Sequence, residues 1–250
     1  MTELLAAEGV SHRYGSLTVV DDVDLRIAAG QRHALIGPNG AGKSTLLDLI
    51  GGALRPDRGR ISFAGRDVTR TGPARRARLG IGRIHQRPAV WPTLTALDNV
   101  AVAALPHAGR RAGWPGRYDR HVRRPAADLL DRLGLAEHAA RPAGHLSHGQ
   151  RRQLEIAMAL AGRPRLLLLD EPAAGLSAGD TERLVELVAA LPRTVAVLLV
   201  EHRLDLVYSL TDVVTVLRDG RILASGPPAE IRTAPALHQA FGTGVRDAHG

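Results

Sequence analysis

The chain has 250 residues, no cysteine and a formal net charge of +8 at pH 7. This length suits one large α/β domain, while the absence of thiols excludes disulfides, thiolate metal sites and thiol catalysis. No apolar run approaches the ~20 residues that a membrane-spanning helix needs, and no signal peptide is visible, so we expect a cytoplasmic location.

The positive charge has three interpretations that composition alone does not separate. They are a solvated arginine surface, attraction to the anionic face of a membrane, and a nucleic-acid interface. Of the 33 Lys+Arg residues, Lys43 is the only lysine. Because every other Lys or Arg position carries arginine, the one lysine indicates that this position needs a compact ammonium group.

Two strands are predicted at the N-terminus, Leu4–Tyr14 and Leu17–Ile27, joined by Gly15-Ser16. Tyr14 is one of few aromatic residues and ends the first strand. Its ring would either stack on a nucleobase or serve only in packing, and the spacing does not choose between these roles.

A phosphate-binding loop is predicted after the next strand, which covers residues 32–36. The loop fits the pattern G-x-x-x-x-G-K-[ST] and reads Gly37-Pro38-Asn39-Gly40-Ala41-Gly42-Lys43-Ser44-Thr45. Its glycines let backbone N–H groups turn towards a phosphate, and the helix that follows adds partial positive charge. Lys43 would reach the β- and γ-phosphates of a nucleotide, and the Ser44 hydroxyl would hold Mg²⁺.

The middle of the chain is predicted to be mainly helical, which suggests a helical lobe inserted into a sheet domain. The expected elements are a strand at 60–63, a loop and short basic helix at 67–78, a strand at 79–86, a helix at 95–104, an Arg-rich loop-like segment at 109–125, and short helical pieces at 128–133 and 137–141.

A capped helix is predicted from Ser147 to Ala161, with Gln150 at the capping-box position. This is either a helix start and nothing more, or an anion site. The anion site would be built from a serine hydroxyl, backbone N–H groups that glycine leaves accessible, and a helix N-terminus. The spacing leaves both alternatives open.

A fully apolar strand, Leu166–Asp170, ends in two carboxylates, Asp170 and Glu171. The carboxyl edge of a parallel strand is where ligands bind in open α/β sheets. We therefore expect Asp170 to join Ser44 at Mg²⁺ and Glu171 to accept a proton from attacking water. Strands and helices then alternate to the C-terminus, as in a parallel sheet with crossover helices.

Five ordered motifs together resemble an ATP-binding-cassette ATPase: the phosphate loop, Gln86, residues 146–150, residues 169–172, and His202. The resemblance covers about residues 3–242. It implies an α/β phosphate-loop core with a mostly parallel sheet, an N-terminal antiparallel β subdomain and an inserted α-helical subdomain. It also implies one ATPase domain over 3–242, with the core in 3–90 and 163–226, the helical part in about 91–162 and a helical tail in 227–250.

The resemblance assigns roles at the matching positions. It implies that Tyr14 stacks on the adenine of ATP, that Gln86 contacts Mg²⁺ or water, and that His202 contacts the γ-phosphate. Ser147, His148, Gly149 and Gln150 are similar to the family signature, which caps the γ-phosphate bound to a second subunit. Each site would then need two chains.

Two positions depart from the family pattern. His148 stands where glycine is usual, and Ser177 stands where aspartate is usual. Function is expected to survive the first change, while the second puts one contact across the dimer in doubt.

Within the family, residues 80–86, 150–161, 171–176, 200–202 and 235–242 resemble the ATPases of branched-chain amino acid importers. Importers of urea or short-chain amides and lipopolysaccharide-export ATPases are alternatives of the same branch. The implied partners are a second ATPase subunit, membrane permease subunits docking near Gln86–Ala104 and, indirectly, a solute-binding protein. A nucleic-acid-associated member is disfavoured because the 104 residues from Lys43 to Ser147 show no coiled-coil heptads.

Overall fold

The computed structural model describes residues 2–84, 89–107 and 118–241. Within these ranges the strands are β1 Glu3–Tyr14, β2 Leu17–Ala28, β3 Arg32–Ile36, β4 Arg58–Phe63, β5 Arg66–Asp67, β6 Ile81–Ile84, β7 Leu166–Asp170, β8 Ala196–Val200, β9 Val213–Arg218 and β10 Arg221–Gly226. The helices are α1 Lys43–Gly51, α2 Pro73–Leu79, α3 Ala96–Ala104, α4 Arg124–Arg132, α5 His148–Ala161, α6 Ala178–Ala189, α7 Leu204–Leu210, α8 Pro228–Thr233 and α9 Pro235–Phe241.

The chain folds into two compact units. As far as they are described, unit 1 is formed by Met1–Arg76, Leu168–Glu171 and Pro192–Gly250, and unit 2 by Ala77–Leu167 and Pro172–Leu191. Among the described residues, no helix is both long and apolar enough to cross a membrane.

Unit 1 contains two sheets. The first is antiparallel, in the order β2-β1-β4-β5. In β2 the buried residues Val23, Leu25 and Ile27 alternate with the exposed Asp24 and Arg26, as expected of a strand with one face on the core. The backbone N–H of Asp21 donates to the carbonyl of Gly220 at 2.9 Å and links this sheet to the β9–β10 turn.

The second sheet of unit 1 has the order β10-β9-β3-β8-β7. Strand β3 is parallel to both β8 and β9, while β10 returns antiparallel to β9. Every residue of β3, β7 and β8 is buried, which explains why the apolar residues of β7 and β8 form continuous runs rather than alternating ones, whereas β3 also buries Arg32 and His33. Helices α7, α8 and α9 pack through Val207, Ile231 and Leu237 on the β3–β9 side of this sheet.

Unit 2 is mainly helical and holds α3, α4, α5 and α6. Its strand β6 neighbours β7, whose first two residues, Leu166 and Leu167, also belong to unit 2. There the carbonyl of Gly80 accepts hydrogen bonds from the backbone N–H groups of Arg165 and Leu166 at 2.7 and 3.0 Å. A mostly parallel sheet, a separate antiparallel N-terminal sheet and a helical insertion confirm the predicted fold class.

Three local predictions were wrong. The strand expected from Leu79 begins at Ile81, because Leu79 still belongs to α2. The Arg-rich segment is not a loop throughout, since Asp119–Arg123 forms a π-helical turn that continues into α4 and buries Val122. The helical piece expected at 137–141 is only a 3₁₀ turn, Ala136–His138.

Candidate functional site

The phosphate-loop lysine is buried in unit 1. Lys43 is only 6% exposed, and its Nζ donates hydrogen bonds to the carbonyl oxygens of Gly37 and Pro38 at 2.7 and 2.8 Å. Burial lowers the pKa of Lys43, while the negative charges of Glu171 and Asp170 act in the opposite direction. The loop therefore holds an ammonium group among its own carbonyl oxygens, ready to exchange them for phosphate oxygens.

The first turn of α1 lies directly behind this loop. Gly42 has a φ of 100°, in the left-handed region, and a Cβ at this position would lie 2.4 Å from the carbonyl oxygen of Val19. Only glycine fits both the conformation and the space. Since glycine has no side chain to cap α1, the first N–H groups of the helix stay available for an anion.

A hydroxyl and a carboxylate meet at the carboxyl end of β7. Ser44 Oγ donates to Oδ1 of Asp170 at 3.3 Å, and Asp170 itself is buried. Oxygen ligands of this kind suit Mg²⁺, which takes few protein ligands and completes its shell with phosphate oxygens and water. No group of three or more His, Asp or Glu side chains that could hold a metal ion is found among the described residues.

The next residue, Glu171, is paired with a histidine. His202 Nε2 lies 2.6 Å from Glu171 Oε1, so the imidazole donates and the carboxylate accepts. Glu171 has a φ of 44°, a conformation that non-glycine residues adopt rarely and often at functional sites. Its backbone N–H donates to the carbonyl of Val200 at the end of β8, at 2.9 Å, which anchors this conformation.

The aromatic ring of Tyr14 projects from the end of β1. It is 51% exposed, and the ring of His12 packs edge-on against it with 4.9 Å between ring centres. An exposed ring supported along one side is suited to stacking on a flat group such as a nucleobase.

Unit 2 contains the predicted capped helix. Ser147 Oγ accepts from the backbone N–H of Gln150 at 3.2 Å, and Gln150 Oε1 accepts from the N–H of Ser147 at 2.9 Å, which completes the capping box. His148 is exposed at the start of α5. Gly149 is buried against α6, where a Cβ would lie 2.2 Å from Oδ1 of Asp180.

The predicted site residues are distributed as follows. Unit 1 holds Tyr14, the loop from Gly37 to Thr45 (including Asn39, Gly40 and Ala41), Asp170, Glu171 and His202. Unit 2 holds Ser147, His148, Gly149 and Gln150. Gln86, predicted to contact Mg²⁺, lies outside the described residues.

Comparison with known proteins decides the family. Residues 20–174 match the ABC transporter family. The chain is 38% identical over 247 residues to the high-affinity branched-chain amino acid transport ATP-binding protein BraF of Pseudomonas aeruginosa, covering 95% of this chain and 97% of that protein. The chain belongs to the ABC transporter family.

Two further similarities extend this result. A solved ATP-binding cassette of an ABC transporter in its ADP conformation is 31% identical, with a TM-score of 0.83 over 96% of this chain and 97% of that one. A sulfate/thiosulfate import ATP-binding protein, CysA 2 of Chromobacterium violaceum, is 39% identical over 238 residues, which are 94% of this chain and 62% of that protein. The chain is an ABC transporter ATPase, and the predicted enzyme class is confirmed.

One structural feature of this ABC ATPase was missed from the sequence. Arg76, which belongs to the predicted basic helix, is completely buried, and burial lowers its pKa to about 10. Its guanidinium donates to the carbonyl oxygens of Leu49, Ile50, Val68, Thr69 and Thr71 at 2.5–3.3 Å. Two of these carbonyls end α1, so Arg76 caps the helix whose other end forms the phosphate loop.

A second missed feature is a buried ion pair on α5. Arg152 Nη1 donates to Glu155 Oε2 at 2.8 Å, and Arg152 Nε donates to the carbonyl of Pro172 at 3.0 Å. Glu155 Oε1 accepts from the backbone N–H of Ala89 at 2.7 Å. Because both side chains continue a polar helix face in the sequence, nothing in the periodicity distinguished them from solvated charges.

Proposed function

We propose that this chain is the ATP-hydrolysing subunit of a branched-chain amino acid importer, acting as a head-to-tail pair of chains that drives membrane permease subunits. The observation that carries the proposal is the hydrogen bond between His202 and Glu171, one residue after the Asp170–Ser44 pair. The solute assignment is supported by the BraF relative, which matches over nearly its whole length.

ATP would bind to unit 1. Its adenine would stack on Tyr14, and its β- and γ-phosphates would enter the loop from Gly37 to Thr45. There Lys43 would leave the carbonyl oxygens of Gly37 and Pro38 for the phosphate oxygens. The backbone N–H groups at the start of α1 would complete the anion site.

Mg²⁺ bound with the nucleotide would supply positive charge to the β- and γ-phosphate oxygens. Ser44 and Asp170 would hold it, with Gln86 as a further predicted ligand. The donor set of hydroxyl, carboxylate and amide oxygens is that of a Mg²⁺ site.

Glu171 would accept a proton from the water that attacks the γ-phosphorus, as ATP and water become ADP and phosphate. His202 holds the acceptor oxygen through its Nε2 and would contact the γ-phosphate when ATP is bound. Asp170 accepts from Ser44 while Glu171 pairs with His202, so the two adjacent carboxylates can serve two different roles.

The second half of each site would come from another chain. Ser147, His148, Gly149 and Gln150 would cap the γ-phosphate bound to the partner, which is either a second copy or a paralogue. The capping box already orders this helix start, where Ser147 and His148 are exposed.

The permease subunits would dock near Gln86–Ala104. Trp91 supports this, because its ring is 46% exposed while its backbone is held on both sides by the buried Asn99. The protein would then be peripheral on the inner face of the cell membrane, a solute-binding protein would act only through the permeases, and no nucleic acid is involved.

A complementation experiment tests the two-chain site. Lys43→Ala removes the phosphate-loop cation but keeps the signature, and Ser147→Arg blocks the signature but keeps the loop. Each variant alone should be inactive, whereas their mixture should regain ATP hydrolysis, because a mixed pair contains one intact composite site.

The controls are each variant mixed with itself and both variants checked for folding by circular dichroism. A mixture as inactive as its components would contradict the two-chain site.

The solute is tested with the reconstituted transporter, whose ATPase activity should rise with leucine-loaded but not with sulfate-loaded binding protein.

A further inference from the structure

The side chain of Gln150 has a fixed orientation. Its amide faces the backbone N–H of Ser147 on one side, at 2.9 Å, and the imidazole of His138 on the other, with Nε2 to Nε2 at 2.7 Å. A backbone N–H can only donate, so the amide atom facing Ser147 must be the oxygen. The amide nitrogen therefore faces His138.

This orientation determines the protonation of His138. An amide NH₂ group can only donate, so Nε2 of His138 must accept. The imidazole is then neutral and carries its proton on Nδ1. His138 thus supplies an acceptor for the amide nitrogen of Gln150, the side chain that closes the capping box of α5.

The backbone around His138 is anchored away from α5. The 3₁₀ turn Ala136–His138 is closed by the N–H of His138 donating to the carbonyl of Leu135 at 3.0 Å. The residues that follow bind the first turn of α3, where Leu97 N–H donates to the carbonyl of Ala139 at 2.9 Å. His138 is therefore held by a second helix rather than by the loop that it stabilises.

We propose that His138 is a positioning residue of the signature: by accepting from Gln150 it keeps the Ser147–Gln150 turn in the conformation that caps the γ-phosphate of the partner chain. This inference rests on the proposed function. His138 itself would not contact the nucleotide, and it acts only through Gln150.

Substitutions at position 138 separate this role from simple packing. His138→Gln supplies an amide oxygen close to the position of Nε2 and keeps the acceptor. His138→Leu keeps the bulk without an acceptor, and His138→Lys presents only donors to Gln150. The matched control is His121→Leu, which changes an exposed histidine elsewhere in unit 2.

Each substitution is combined with Glu171→Gln in the full chain. The measurement is the fraction of dimer, determined by gel filtration at increasing ATP concentrations. His138→Leu and His138→Lys should raise the ATP concentration for half-dimerisation about threefold to tenfold, as expected when each site loses one hydrogen bond. His138→Gln and His121→Leu should leave it unchanged. In chains that retain Glu171, the loss should appear in KM for ATP, with kcat at saturating ATP preserved.

The outcomes are distinguishable. If Glu171→Gln alone fails to dimerise with ATP, the proposed function fails and this inference with it. If it dimerises and His138→Leu behaves like His121→Leu, or if His138→Gln is as impaired as His138→Leu, only the positioning role is overturned. Should His138→Leu not fold, the comparison of His138→Gln with His138→Lys decides in the same way.

Discussion

His202 donates from Nε2 to the carboxylate of Glu171 at 2.6 Å, and these two residues lie just after the neighbouring strands β8 and β7. Glu171 is at the same time held in a left-handed backbone conformation by the carbonyl of Val200. The backbone and the side chain of Glu171 are thus both held by other groups of the protein. A preorganised acceptor of this kind is what proton abstraction from a water molecule requires.

His202→Ala should reduce kcat for ATP hydrolysis about tenfold to a hundredfold, because it removes a hydrogen bond to a charged group that orients the base. Nucleotide affinity, measured by a fluorescent ATP analogue, should change much less. His238→Ala, at an exposed histidine of α9 in the same unit, is the control and should retain full activity. An unchanged kcat in His202→Ala would show that Glu171 needs no partner.

Gly149→Ala should impair both folding stability and hydrolysis, because the new methyl group would meet Asp180 Oδ1 at 2.2 Å and force the start of α5 away from α6. Overpacking of this kind costs about 1–3 kcal/mol, measurable by urea unfolding. Gly179→Ala is the matched control, since a Cβ there has open space and alanine favours the helix. The double variant Gly149→Ala/Asp180→Ala should recover stability, and its failure to do so would exclude this contact as the cause.

Trp91→Ala should leave ATP binding and the hydrolysis of isolated chains intact while reducing transport by the assembled importer. The ring is exposed and its backbone is fixed by Asn99, so the substitution removes contact area without disturbing the core. Transport into vesicles and ATP hydrolysis would be measured on the same preparation. Lost nucleotide affinity in this variant would contradict a docking role, and Leu105→Ala, another exposed apolar residue of unit 2, serves for comparison.

Acid should destabilise the protein through His33. This histidine is buried in β3, with its Nε2 at 2.7 Å from Thr215 Oγ1, and burial lowers its pKa from 6.5 to about 4. The neutral ring therefore stabilises the fold fully above the unfolded pKa, and this contribution is lost as the pH falls through 6.5 towards 4. Between about pH 8 and about pH 5 the loss should be on the order of 2 kcal/mol.

Urea unfolding at both pH values checks the effect, with His33→Gln as the comparison because glutamine can still bond Thr215 without titrating. The variant should lose about 2 kcal/mol less than the wild type over this range. An equal loss in the two proteins would assign the acid sensitivity to other groups.

The sequence predicted the local parts of the site and missed its tertiary contacts. The phosphate loop, the carboxylates after β7 and the capping box of Ser147 each depend on neighbours within a few residues, so their patterns are visible in the chain. The bond from His202 to Glu171 joins residues 31 positions apart and exists only because β7 and β8 are adjacent. Glu171 was predicted from its place at the end of the apolar strand and His202 from the resemblance, whereas their contact required the fold.

The burial of charged side chains could not be predicted from the sequence for a different reason. Arg76 lies between the exposed Arg75 and Arg78 in a run that resembles a solvated helix, and no local pattern distinguishes it. Its burial depends on carbonyl oxygens contributed by the end of α1 and by residues 68–71. The same holds for His138, whose acceptor role follows only from the amide that faces it.

The guanidinium at the far end of α1 also has an electrostatic consequence for the nucleotide. With a pKa of about 10, Arg76 stays charged at every physiological pH, and it neutralises the negative pole of the helix dipole. The positive pole of α1, at the phosphate loop, therefore acts on the phosphates without an opposing negative pole at the other end of the helix. Because Arg76 has no exposure to solvent, mobile ions do not reach it, and this part of the attraction for ATP should persist at high ionic strength.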